Sequence, residues 1–130
     1  MSEADQLSAY DALGGEPALR AMVARFYRLM ASEPGFAALM AVHDPDTSRA
    51  EQRLFEFLSG RLGGPDLYIQ RHGHPRLRMR HLPFAIGPTE RDQWVACMDQ
   101  AMRETGVHDV VRALLNEFFT AVAANMQNRD

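Results

Sequence analysis

Between Val111 and Met126 apolar residues recur at spacings of three and four, placing Val111, Leu114, Leu115, Phe118, Phe119, Val122 and Met126 on one side of the chain. This is the period of an α-helix with one buried face; a strand alternates every two residues and could not bury the same set. The pattern recurs three times upstream. Leu19, Met22, Val23, Phe26, Tyr27 and Met30 follow Pro17, Leu54, Phe55, Phe57, Leu58 and Leu62 follow Ser48, and Trp94, Cys97, Met98, Ala101 and Met102 follow Thr89. No segment shows strand alternation, an internal repeat or a low-complexity tract. An all-α fold on four principal helices is therefore predicted, with the last as the back wall of the core.

Local punctuation supports these boundaries. Glu33-Pro34-Gly35 stops the first helix, the short apolar run Phe36 to Val42 ends in the turn His43-Asp44-Pro45-Asp46, and Gly63-Gly64-Pro65 and Gly106 close the next two helices. Ser48 with Glu51 reads as a capping box, and Thr89 with Asp92 as a second helix start. A length of 130 residues suits a single domain over 1–130. With 46% hydrophobic residues, 24% charged and a net charge of -3, nucleic acid and anionic membranes are not expected as partners. The start Met-Ser-Glu-Ala-Asp-Gln has neither the basic region nor the apolar run of a signal peptide, and no apolar stretch reaches the roughly 20 residues of a membrane span, so a cytoplasmic location is expected. Cys97 is the sole cysteine, so no internal disulfide forms; its expected role is packing.

From Asp66 to Gly87 the pattern gives way to a density of Gly, Pro, His and Arg that a packed core does not require, and a long irregular stretch in a small domain is usually functional. Its centre reads Gly73-His74-Pro75-Arg76-Leu77-Arg78-Met79-Arg80-His81-Leu82-Pro83-Phe84. Pro83 pushes the residue before it out of the helical region, which leaves the His81 imidazole at a fixed helix end. Bordered by Leu82, Phe84 and three arginines, it suits the iron of a flat, apolar cofactor bearing acidic groups, a description that haem meets. Two other readings stand beside this one: a capping or surface histidine, and a zinc site made with His72 and His74, although no cysteine or carboxylate cluster completes such a site nearby.

Several strings together resemble the truncated haemoglobins of the second group: Ala9-Tyr10-Asp11-Ala12-Leu13-Gly14-Gly15, Phe26-Tyr27, Gly63-Gly64-Pro65, the stretch Gly73 to Phe84, and Glu90-Arg91-Asp92-Gln93-Trp94. The resemblance covers nearly the whole chain. It implies a globin-like, truncated two-on-two helical sandwich around haem b (iron protoporphyrin IX). It also implies His81 as proximal iron ligand, and Tyr27 and Trp94 as distal hydrogen-bond donors to a bound diatomic, against the plainer reading of Trp94 as a core residue. His43 falls at a position that points into the distal pocket, the alternative being a solvent-facing turn. Ala50 and Leu54 occupy distal positions with nothing to donate, and small Ala50 leaves a path for ligands.

Phe55, Phe57, Leu58, Met79, Phe84 and Ile86 are candidate apolar haem contacts, and Arg53 and Arg78 candidate propionate partners, since guanidinium pairs well with carboxylate. Two donors on a partly negative ligand, at about 1–3 kcal/mol each, predict slow oxygen release and a poor oxygen carrier. The function expected is reversible binding of dioxygen, nitric oxide or carbon monoxide by a monomer or homodimer. One alternative is a peroxidase or nitric oxide dioxygenase supplied with electrons by a separate reductase, because the chain has no flavin or nicotinamide motif. The other is a haem-free helical interaction module, which leaves the Arg- and His-rich segment without a purpose.

Overall fold

In the computed structural model, which describes residues 8–130 apart from the Arg78 side chain, helices α1 (Ala9–Leu13) and α2 (Gly15–Ser32) meet at Gly14, whose φ of 122° lies in the region that glycine tolerates. A 3-10 turn (Pro34–Phe36) leads into α3 (Ala37–Ala41), and the chain continues through α4 (Ser48–Arg61), α5 (Leu67–His72), α6 (Leu77–His81), α7 (Pro88–Glu104) and α8 (Asp109–Met126). Among the described residues there is no strand, and no helix is long and apolar enough to cross a membrane. The propionate role expected of Arg78 falls outside the described residues.

The four long helices α2, α4, α7 and α8 are those the apolar period predicts. They form the two-on-two sandwich, α2 with α4 and α7 with α8, and α2 also packs on α7. Between them Leu19, Met22, Phe26, Leu58, Met98, Met102, Leu115 and Phe119 are sealed from solvent. Burying each such side chain contributes on the order of 1.5–3 kcal/mol. Cys97 belongs to this core, as its expected packing role requires: burial pushes its thiol up to about 12, and its Sγ lies 3.3 Å from the Phe26 carbonyl.

Four local expectations are corrected. Ser48 does not cap α4: Thr47 is the N-cap residue, and the Ser48 amide and hydroxyl both donate to Asp46 Oδ1, at 3.0 and 2.7 Å. The carboxylate that supports the start of α7 is Glu90, whose Oε1 accepts the Gly87 amide at 2.8 Å, because Pro88 sets the first helical residue one position before Thr89. The stretch from Asp66 to Gly87 is not irregular throughout but holds α5 and α6, each too short for a three-and-four period to repeat. Leu114 is 63% exposed while neighbouring Leu115 is 2% exposed, so the buried stripe of α8 runs through Leu115, Phe119, Ala123 and Met126.

Candidate ligand and cofactor pocket

α2 and α3, α4, α6, α7 and α8 together wall a cavity of about 550 Å³. That volume falls among pockets that take cofactor-sized ligands, roughly 300–1,000 Å³. Of the residues singled out in the sequence, Tyr27, His43, Ala50, Arg53, Leu54, Phe57, Leu58, His81, Phe84, Ile86 and Trp94 all line it. Phe55 and Met79 are not brought to it. Helical residues turn by about 100° each, so Phe55 faces away from the wall that Leu54, Phe57 and Leu58 share, and the Arg20 guanidinium lies 3.9 Å from its ring centroid. By the same geometry Met79, two positions before His81, points outward and is 53% exposed.

His81 ends α6, and its Nδ1 lies 2.7 Å from the Leu77 carbonyl oxygen. A carbonyl only accepts, so Nδ1 carries the hydrogen and the neutral ring keeps its lone pair on Nε2. The other two histidines of the zinc reading are committed elsewhere. His72 Nε2 pairs with Glu56 Oε1 at 3.0 Å, and His74 Nδ1 accepts the Arg76 amide at 3.1 Å. Among the described residues no group of three or more potential metal ligands is gathered.

A second polar group sits where α2, α3 and α7 converge. Tyr27 and His43 meet edge to face at 5.9 Å between centroids, and Phe26 lies 5.0 Å from Tyr27 and 5.5 Å from Trp94. The Tyr27 hydroxyl makes no hydrogen bond to protein among the described residues. Burial, reinforced by Glu51 and Cys97, holds its pKa far above the ordinary tyrosine value, so it remains an O–H donor. His43 Nδ1 lies 2.9 Å from the Leu39 carbonyl, so the tautomer argument for His81 applies here too. Burial lowers the His43 pKa, with His81 on the same cavity adding to the effect against the Leu39 bond. A neutral His43 therefore offers the cavity an acceptor rather than a donor.

Several lining residues escaped the sequence reading. Arg80 and Arg91 line the cavity; Arg91 is braced by Gln127 Oε1 at 2.7 Å and Asp92 at 2.9 Å, and Arg80 lies 6.0 Å from the Tyr68 ring. Both stand inside strings already quoted, one beside His81 and one three residues before Trp94, so their neighbours were the available signal. Tyr68 and Met126 also line the wall. Tyr68 is placed by a cluster with no sequence signature: buried Glu56 on α4 accepts from Arg71 and pairs with His72 on α5, and His72 stacks on Tyr68 at 4.8 Å. Burial raises the Glu56 pKa, but the bonds from His72, Arg71 and Gln52 outweigh it and hold the carboxylate ionised.

The chain matches the bacterial-like globin family over residues 8–128. It is 38% identical over 120 residues to the group 2 truncated hemoglobin YjbI of Bacillus subtilis (strain 168), spanning 92% of this chain and 88% of that one. Its fold superposes on the group II 2-on-2 hemoglobin from the plant pathogen Agrobacterium tumefaciens with a TM-score of 0.94 at 39% identity, covering 99% of this chain and 100% of the other. For the truncated oxygen-avid haemoglobin from Bacillus subtilis the TM-score is 0.86 at 37% identity, with 94% and 100% covered. The chain thus belongs to the bacterial-like globins, as a group II truncated haemoglobin with the two-on-two fold and the haem-binding character that this membership carries.

Proposed function

We propose that the cavity takes haem b with His81 as the protein ligand to iron, and that the protein reversibly binds dioxygen, nitric oxide or carbon monoxide beside Tyr27, His43 and Trp94. When bound, the haem supplies a ferrous iron able to take up a diatomic gas. One observation carries the reading: the His81 imidazole, its Nδ1 engaged by the Leu77 carbonyl, leaves Nε2 as the ring nitrogen free to meet a metal on the wall of a cavity lined by Leu54, Phe57, Leu58, Phe84, Ile86 and Met126. These apolar side chains exclude water and suit the face of a macrocycle. The Arg53, Arg80 and Arg91 guanidinium groups suit its carboxylates.

On the ligand side, Tyr27 donates its hydroxyl and Trp94 its indole N–H, whereas neutral His43 donates nothing, and Ala50 and Leu54 have nothing to donate. Two donors favour a ligand with partial negative charge and slow its release, which suits retention or chemistry better than delivery. One relative is itself described as oxygen-avid. His43 also favours a second reading, peroxidase or nitric oxide dioxygenase turnover fed by a separate reductase, because an unprotonated Nε2 beside Tyr27 is placed to accept a proton. The visible spectrum of wild type and His81→Ala, in ferric, dithionite-reduced and carbon monoxide-bound forms, tests the primary reading. An intense Soret band that moves with each state and is lost or altered in the variant is expected. Folded wild-type protein that takes up no haem would overturn it and favour the haem-free interaction module.

A further inference from the structure

The backbone that carries His81 is held by one side chain 47 residues away in sequence. Asn128 follows α8, and its Nδ2 donates to the His81 carbonyl at 3.0 Å and to the Phe84 carbonyl at 2.9 Å. Its Oδ1 accepts the Ile86 amide at 3.0 Å, and its own backbone amide donates to the Ile86 carbonyl at 2.8 Å. Among the described residues, every long-range hydrogen bond to the stretch 81–86 comes from residues 128 and 129. The helix so anchored has five residues and is entered through Arg76 at φ 46°, a left-handed conformation that a non-glycine residue adopts at a cost. A helix of that length has little stability of its own, so an external tie decides where its end sits.

We infer that Asn128 is the positioning residue for the His81 imidazole, an inference that rests on His81 being the haem ligand. The His81 ring is bonded to Leu77 within its own helix, which fixes its rotation but not the place of the helix against the cavity. Asn128 supplies that second constraint by joining the His81 and Phe84 carbonyls and the Ile86 amide to the end of α8. The chemistry specifies an amide. Both Nδ2 hydrogens point at carbonyl oxygens, which cannot donate, and Oδ1 faces an N–H, so a carboxylate of the same shape would set an oxygen against two others. Asn128→Asp should therefore loosen His81 more than Asn128→Ala does.

The test is haem loss from the ferric holoprotein to excess apomyoglobin, measured for wild type, Asn128→Ala, Asn128→Asp, Arg129→Ala and Arg112→Ala. Arg129→Ala removes the guanidinium bonds to Asn128 Oδ1 and its carbonyl, at 3.1 and 3.0 Å, while leaving the Asn128 Nδ2 donor bonds, and Arg112→Ala breaks the tie from α8 to Asp99 on α7, giving a variant destabilised elsewhere. Partners of a metal ligand typically change metal affinity by about 10–100-fold. Haem loss roughly tenfold faster is expected in Asn128→Ala and faster still in Asn128→Asp, with Arg112→Ala near wild type and Arg129→Ala losing haem more slowly than Asn128→Ala. The iron–histidine stretch of the ferrous protein should shift or broaden in the Asn128 variants alone, and Ile86 amide exchange should quicken with it. Wild-type loss rates and an unmoved stretch in Asn128→Ala overturn the inference while a normal Soret band leaves the haem reading standing. A folded wild type without a Soret band defeats both.

Discussion

Replacing Tyr27 by phenylalanine should leave the ligand-free protein nearly as stable as wild type but speed the release of a bound ligand. Tyr27 is 6% exposed and its hydroxyl has no protein hydrogen-bond partner among the described residues, yet it opens onto the cavity and is not one of the buried polar atoms left unsatisfied. Trimming it to a ring of the same shape removes no protein hydrogen bond, so the stability of the ligand-free protein should change by under about 0.5 kcal/mol. On the proposed function, the same hydroxyl, which burial keeps protonated, donates to bound dioxygen. A hydrogen bond to a group bearing charge contributes about 1.5–3 kcal/mol, which converts to release faster by roughly ten- to a hundredfold. Stopped-flow displacement of dioxygen by carbon monoxide measures the second effect, and thermal melts of the ligand-free protein the first. A release rate within a factor of two of wild type would refute the donor role of Tyr27, and a loss of several degrees in the ligand-free melt would refute the claim that no protein atom holds its hydroxyl.

Glu56→Ala should lower stability by about 2 kcal/mol, or roughly 6–10 °C in melting temperature, because it removes the acceptor shared by Arg71, His72 and Gln52; a melt within 2 °C of wild type would show that the cluster does not hold α5. Leu114→Lys should change stability by under about 0.5 kcal/mol while adjacent Leu115→Ala costs about 2–5 kcal/mol, a contrast that chemical denaturation resolves. The folded pKa of His43 lies below its ordinary 6.5, so the unfolded chain takes up a proton that the fold resists. Apoprotein stability should hold above pH 6.5 and fall as pH drops from there toward the folded pKa, and His43→Phe should remove that slope from the denaturation series. Glu56 acts in a lower window: its depressed pKa stabilises the fold above about 4.5, and that contribution is lost as pH falls through the folded value, a step absent in Glu56→Ala.

The apolar period alone determined the four long helices, because a helix must bury one stripe and the spacing of that stripe is written in one dimension. The string around His81 likewise marked a helix end with an imidazole on it, but not for the expected reason: Leu82 keeps helical angles (φ -54°, ψ -38°), so Pro83 does not push it out of the helical region. The resemblance to the truncated haemoglobins put Tyr27, Trp94 and His43 into one pocket, and all three line the cavity with His81. Local rules erred where two neighbours competed for one role. Asp46 took the hydroxyl that the capping pattern assigned to Ser48's own helix, and Leu115 rather than Leu114 faced the core, a choice that rests on a few tens of degrees of helix rotation set by α7. Arg80, Arg91 and Asn128 make contacts 12, 36 and 47 residues away in sequence, and Tyr68 is placed through partners such as Glu56 whose burial no local pattern reports. Which nitrogen of His43 and His81 carries the hydrogen follows from local structure, a carbonyl four residues back that meets each ring, but the apolar pattern does not report it. Tertiary structure alone decided where the five-residue α6 comes to rest, because a helix that short takes its place from what it is tied to.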